Sequence, residues 1–75
     1  MFDKKFFGAK IRELRIAKNA NQTELANLLG VTKTQISDLE NGKTSTTIEK
    51  LVQLADYFDV SLDYLVGRSD DPTLR

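Results

Sequence analysis

Two short segments with apolar residues at helical spacing, about 22–29 and about 33–41, are separated by only Gly30, Val31 and Thr32. Leu25, Ala26 and Leu29 form the stripe of the first; Ile36 and Leu39 form that of the second. A three-residue connection containing a glycine leaves no room for a wandering loop, so two short helices must cross steeply. Counted from Gln22, the fifth residue is Ala26, small enough to let the helices approach, and the ninth is Gly30, at the turn. The fourth, eighth, tenth, fifteenth and eighteenth are Leu25, Leu29, Val31, Ile36 and Leu39, all apolar. A plain helical corner needs the glycine alone, whereas this chain has the whole set.

The rest of the chain is helical in pattern too. Phe7, Ile11 and Leu14 make a stripe before the pair. Ile48, Leu51, Leu54, Ala55 and Phe58 make a longer one after it, and Leu62, Leu65 and Val66 a short last one. Start signals precede the later stripes: Asn21 with Glu24, Thr32 with Gln35 and Thr46 with Glu49 read as capping boxes, and Ser61 with Asp63 as a helix start. Gly30, Gly42 and Gly67 stand where helices end. The spacing therefore predicts an all-α fold, a compact bundle of five short helices at about 4–18, 22–29, 33–41, 47–58 and 62–66. Residues 1–67 read as one domain. Residues 68–75, polar and with the only proline, read as a tail expected to fray, or as the start of a linker.

Composition removes whole classes of function. With 75 residues there is one small core. Cys and His are both absent, so thiolate or imidazole metal sites, disulfides and the commonest general base are excluded. No spacing of Ser, Lys and Asp forms a catalytic triad, so no enzyme, cofactor or small-molecule substrate is expected. No apolar run suits a membrane span or a signal peptide, and a cytoplasmic protein is the expectation. The net charge is zero, which argues against a non-specific nucleic-acid binder. Yet residues 1–43 hold six Lys and two Arg against two Asp and three Glu, a net +3. Residues 44–75 hold one Lys and two Arg against five Asp and one Glu, a net −3.

Projected at about 100° per residue from Lys33, the third segment sorts its residues cleanly. Ser37, Asn41, Thr34 and Asp38 fall within about 140° of Lys33, while Ile36 and Leu39 fall opposite. A merely solvated helix is also polar outside. This face, however, is built of short side chains with one acid and one base, not of Glu–Lys pairs. Steeply crossed helices of which the second offers such a face have the geometry of the DNA-binding helix-turn-helix.

The stretches "NQTELA", "ISDLENGK" and "VSLDYLVG" carry a family resemblance. From about residue 7 to 67 the chain resembles the phage-repressor-like, Cro/C1 or XRE-type helix-turn-helix regulators, a lambda-repressor-like fold. The resemblance implies that the segment about 33–41 lies in the major groove of operator DNA. Lys33, Thr34, Ser37 and Asp38 would then meet base edges: Lys33 as donor to guanine, Asp38 as acceptor from cytosine. Asn21, Gln22, Gln35, Lys43, Thr44 and Thr47 would hold phosphates. Arg15 and Glu40 match a partly buried ion pair linking the first helix to the third; two exposed, nearly neutral charges are the alternative.

Departures qualify what the resemblance implies. Many relatives carry a base or a glutamine where Asp38 stands, and a proline or a base within the "TSTT" loop. Fewer cations mean modest affinity per subunit and reliance on a homodimer. Asp38 would penalise misplaced DNA through phosphate repulsion, or else be a local partner of Gln35 or Thr34. Tyr57, Leu62, Tyr64, Leu65 and Val66 are candidates for the dimer surface, and equally for core closure. The function implied is a sequence-specific transcriptional repressor on a palindromic operator. The alternative is an antitoxin-like or protein-interaction regulator that keeps the fold with weak or no DNA binding.

Overall fold

A computed structural model describes residues 2–73, and Met1, Leu74 and Arg75 lie outside the described residues. Five helices follow in order: α1 (Lys4–Ala17), α2 (Gln22–Leu29), α3 (Lys33–Glu40), α4 (Ile48–Phe58) and α5 (Leu62–Val66). There is no strand among the described residues. α1 packs across α3 and α5, α2 packs on α3 and α4, and α4 closes on α5. Phe7, Ile11, Leu25, Ile36, Leu54 and Leu65 are fully enclosed at the centre, each worth about 1.5–3 kcal/mol of transfer free energy. No described helix is long and apolar enough to cross a membrane.

Local chemistry sets the helix starts. Asp3 opens α1, its Oδ1 accepting the N–H groups of Lys5 and Phe6 at 2.9 and 3.1 Å. Asn21 Oδ1 accepts the Glu24 N–H at 2.8 Å. At α3 the capping box is complete: Thr32 Oγ1 accepts the Gln35 N–H at 3.1 Å and Gln35 Oε1 accepts the Thr32 N–H at 2.8 Å. α4 differs from expectation. Its cap is Thr47, which accepts the Lys50 N–H at 3.2 Å, in place of Thr46 with Glu49. The helix therefore starts one residue late, and Ile48, expected on the buried stripe, lies in the first turn beyond the edge of the core and is 77% exposed.

Two backbone features place α3. Gly30 takes φ +68° and turns the chain between α2 and α3, its N–H bonded to the Ala26 carbonyl. Gly8 lets α1 lie directly on the end of α3: a β-carbon there would collide with the Leu39 carbonyl oxygen and stand 2.7 Å from that of Glu40. The Ser61 N–H donates to the Pro72 carbonyl at 2.9 Å, and the Arg68 N–H to the Asp63 carbonyl at 2.8 Å, so residues 68–73 turn back over the start of α5.

Candidate nucleic-acid interface

The core holds α3 by one side. Ile36 and Leu39 are 1% and 4% exposed. Lys33, Thr34 and Gln35 stand exposed, Ser37 and Asp38 are half-buried, and Asn41 follows, exposed. The Asn41 amide donates to Ser37 Oγ at 3.5 Å, bracing the middle of the face. Asp38 makes no side-chain hydrogen bond or ion pair among the described residues, and Gln35 is engaged by Thr32. A local partnership of Asp38 with Gln35 or Thr34 is therefore absent. The Lys43 N–H closes onto the Asp38 carbonyl at 2.9 Å and starts the loop that leads to α4.

Beneath this face lies the ion pair. Arg15 grips Glu40 with two bonds, Nε to Oε2 at 2.7 Å and a terminal nitrogen to Oε1 at 3.0 Å. Its other terminal nitrogen reaches the Ala20 carbonyl at 3.1 Å. The Glu40 side chain is 2% exposed and that of Arg15 13%. The hydrogen bonds it donates to the Glu40 carboxylate hold the guanidinium above its ordinary pKa, against the opposing effect of burial. Gln22 completes the group, its Nε2 donating to Glu40 Oε1 at 3.1 Å. One buried carboxylate thus joins α1, the start of α2 and the end of α3. Neither spacing nor the resemblance pointed to the Gln22–Glu40 bond, because the two are 18 residues apart and both polar.

The residues expected to meet phosphate lie on either side of α3. Asn21 and Gln22 open α2; Lys43, Thr44 and Thr47 stand exposed or nearly so in the loop beyond α3. Several are partly occupied: Asn21 Oδ1 and Thr47 Oγ1 cap helices, and one Gln22 N–H serves Glu40. Their remaining donors, the Asn21 amide N–H groups, the second Gln22 N–H and the Thr47 hydroxyl hydrogen, are the ones an anion can take.

The candidate dimer residues separate. Leu65 is 0% exposed and belongs to the core, so it cannot form a surface. Tyr57 and Tyr64 are half-buried and tied to α1 by lysines: Lys18 sits 4.8 Å from the Tyr57 ring centre and Lys10 4.5 Å from that of Tyr64. Val66 is half-buried. Leu62 is 42% exposed, beside Val52 at 41% and, one turn earlier on α4, Ile48. Ile48 and Val52 were absent from the expected surface because a helix's outer apolar residues look like core until its partners are known.

Comparison with known proteins agrees with this architecture. The Helix-turn-helix family model matches residues 11–65. The chain is 38% identical over 64 residues to the transcriptional repressor RstR of the cryptic phage CTXphi of Vibrio cholerae, covering 85% of this chain and 58% of that one. It is 37% identical over 65 residues to the ImmF control region 10 kDa protein of Bacillus phage phi105, covering 87% and 72%. Among solved structures, the P22 c2 repressor in complex with a synthetic operator superposes with a TM-score of 0.78 at 30% identity, over 85% of this chain and 97% of that one. The chain spans 56% and 58% of the length of two of its curated relatives. With more than half of its length matched and its helix pair in the same arrangement, the chain belongs to the Cro/C1-type, XRE helix-turn-helix family.

Proposed function

We propose that this chain is a sequence-specific DNA-binding transcriptional regulator, acting in the cytoplasm as a repressor, with α3 in the major groove of its operator. The observation that carries the reading is the division of α3. Ile36, Leu39 and Glu40 are locked inward, while Lys33, Thr34, Ser37 and Asp38 face outward. Lys33 suits guanine O6 and N7; Asp38 suits the cytosine amino group. Asn21 and Gln22 on one side, and Gln35, Lys43, Thr44 and Thr47 on the other, bind phosphates. Arg15 neutralises Glu40, so Gln22 can offer its second N–H to a phosphate without a bare carboxylate behind it.

Residues 1–67 form the reading domain. One subunit carries few cations near the groove. The working species is therefore a homodimer, with half-sites one helical turn, about 34 Å, apart. Leu62, Val52 and Ile48 are the apolar surface on which two copies meet.

Selection of binding sites from random duplex DNA, followed by salt titration, tests the reading. A palindrome should enrich, with log K falling by about 0.9 per phosphate contact per log unit of salt. A chain that enriches no duplex under conditions where it is folded and dimeric would favour the second reading, a protein-binding or antitoxin-like regulator. That reading takes its support from Asp38 and the zero net charge.

A further inference from the structure

Two phenylalanines at the start of α1 stay outside the core. Phe2 is 46% exposed and Phe6 45%. Both rings are nevertheless held in place. Phe2 leans on Phe7, with ring centres 5.5 Å apart and planes at 53°. Phe6 lies against Gly67 at the end of α5, where a β-carbon would stand 2.8 Å from its Cε2. Lys10 backs Phe6, its ammonium 5.7 Å from that ring centre while it donates to the Tyr64 hydroxyl at 3.3 Å.

Cations accompany the rings. Lys4 and Lys5 stand between the two phenylalanines in the chain, and Arg68 follows Gly67. All three are exposed, and their side chains make no ion pair or hydrogen bond among the described residues. The two carboxylates of this part of the chain are committed elsewhere. Asp3 Oδ1 caps α1, and Glu13 pairs with Lys10 at 3.6 Å.

Exposed rings beside uncommitted cations call for an anionic partner with flat apolar parts. A nucleic-acid strand and an acidic protein segment both offer that, and the size of the patch decides between them. A stable protein interface covers about 800 Å² per partner around a desolvated centre. Two half-exposed rings edged by charge fall far short of it. A base, by contrast, needs one ring to stack on, and its phosphate one cation. Bases inside a duplex are already stacked, so the strand that fits is single.

We infer that Phe2 and Phe6 form a stacking platform for single-stranded nucleic acid, with Lys4, Lys5 and Arg68 on its phosphates. This is a second binding site, separate from the outward face of α3 and independent of the operator reading. The two sites are neighbours: a β-carbon at Gly42 would stand 2.8 Å from the Lys5 Cα, so the platform borders the loop after α3.

The test is fluorescence anisotropy with short labelled oligo(dT) and oligo(U), beside an unrelated duplex of the same length, with circular dichroism to check the fold of each variant. The wild type should bind a single strand more tightly than that duplex, and the better of the two strands tells DNA from RNA. Phe2→Leu and Phe6→Leu keep apolar bulk but remove a ring, and each should weaken this binding about 5- to 150-fold. Phe6→Tyr should retain it. Lys4→Gln and Lys5→Gln should each flatten the log–log salt slope by about 0.7. Binding of the enriched operator should be the same in Phe6→Leu as in the wild type. Failure to bind either strand overturns the inference, and so does wild-type affinity in both leucine variants. Tighter binding of a glutamate-rich peptide at the same residues overturns it too, and gives the patch to an acidic protein. A chain that binds its operator but no single strand loses the platform alone; one that binds the single strand but no operator loses the operator reading alone.

Discussion

Replacing Arg15 by Met probes the joint on which α3 rests. The substitution removes the bonds of 2.7 and 3.0 Å to Glu40 and the bond of 3.1 Å to the Ala20 carbonyl. It leaves a carboxylate with 2% of its side chain exposed and only the Gln22 amide as partner. A buried charge stripped of its counter-ion costs about 3–5 kcal/mol. A domain of 75 residues has about 4–11 kcal/mol of stability in all. Arg15→Met should therefore lose about a quarter or more of the total, read as a lower urea midpoint at unchanged m by circular dichroism. Replacing both partners by Met removes the stranded charge with its cause. The double variant should be more stable than Arg15→Met alone, by at least about 1 kcal/mol. A loss under about 1 kcal/mol for the single variant would mean that solvent screens the pair. Strictly additive losses would mean that the two residues do not act together. Either result refutes the reasoning.

Other perturbations separate packing from recognition. Gly8→Ala gains about 1 kcal/mol of helix propensity but forces a β-carbon against the Leu39 and Glu40 carbonyls. The net should be a destabilisation of about 1–2 kcal/mol in thermal unfolding, and a more stable variant would contradict the close approach of α1 and α3. Lys10, drawn down by burial but raised more by the Tyr64 hydroxyl and Glu13, sits above the ordinary lysine value of 10.5. Its contribution is complete below that value and is lost as pH rises through the raised one. The stability difference between wild type and Lys10→Met should thus be flat between about pH 6 and 9 and shrink above the ordinary lysine range; shrinkage within the flat window would show the contact misread. Gln22→Ala should weaken binding to all duplexes alike in a gel-shift series, and a change in base preference would place it elsewhere than on phosphate.

Local chemistry was the most legible part of the chain. The Thr32–Gln35 box, the glycine turn and the inward set of Leu25, Ile36 and Leu39 depend on neighbours within four residues, so they could be read directly. Adjacent threonines defeated the same logic at α4. Thr46 with Glu49 has the better side chains for a box, yet the path of the chain after Gly42 puts Thr47 at the cap. Asp59 ends α4 at φ 56° without a glycine, a left-handed geometry that aspartate tolerates and a sequence barely signals. Leu62 and Leu65 fit one stripe equally well; only the seating of α1 on α5 encloses the second and exposes the first. On the candidate interface, the outward face of α3 follows from periodicity. The clasp of Gln22 on Glu40 and the exposure of Ile48 and Val52 depend on contacts between distant segments, which periodicity does not encode.

The central claim is that the outward face of α3 reads bases. Measuring the base preference of Lys33→Ala and Asp38→Asn across every position of the enriched site tests it most directly. Each variant should relax discrimination at its own position by about 1–3 kcal/mol and leave the others intact. Uniform weakening at all positions, or no change at any, would contradict it.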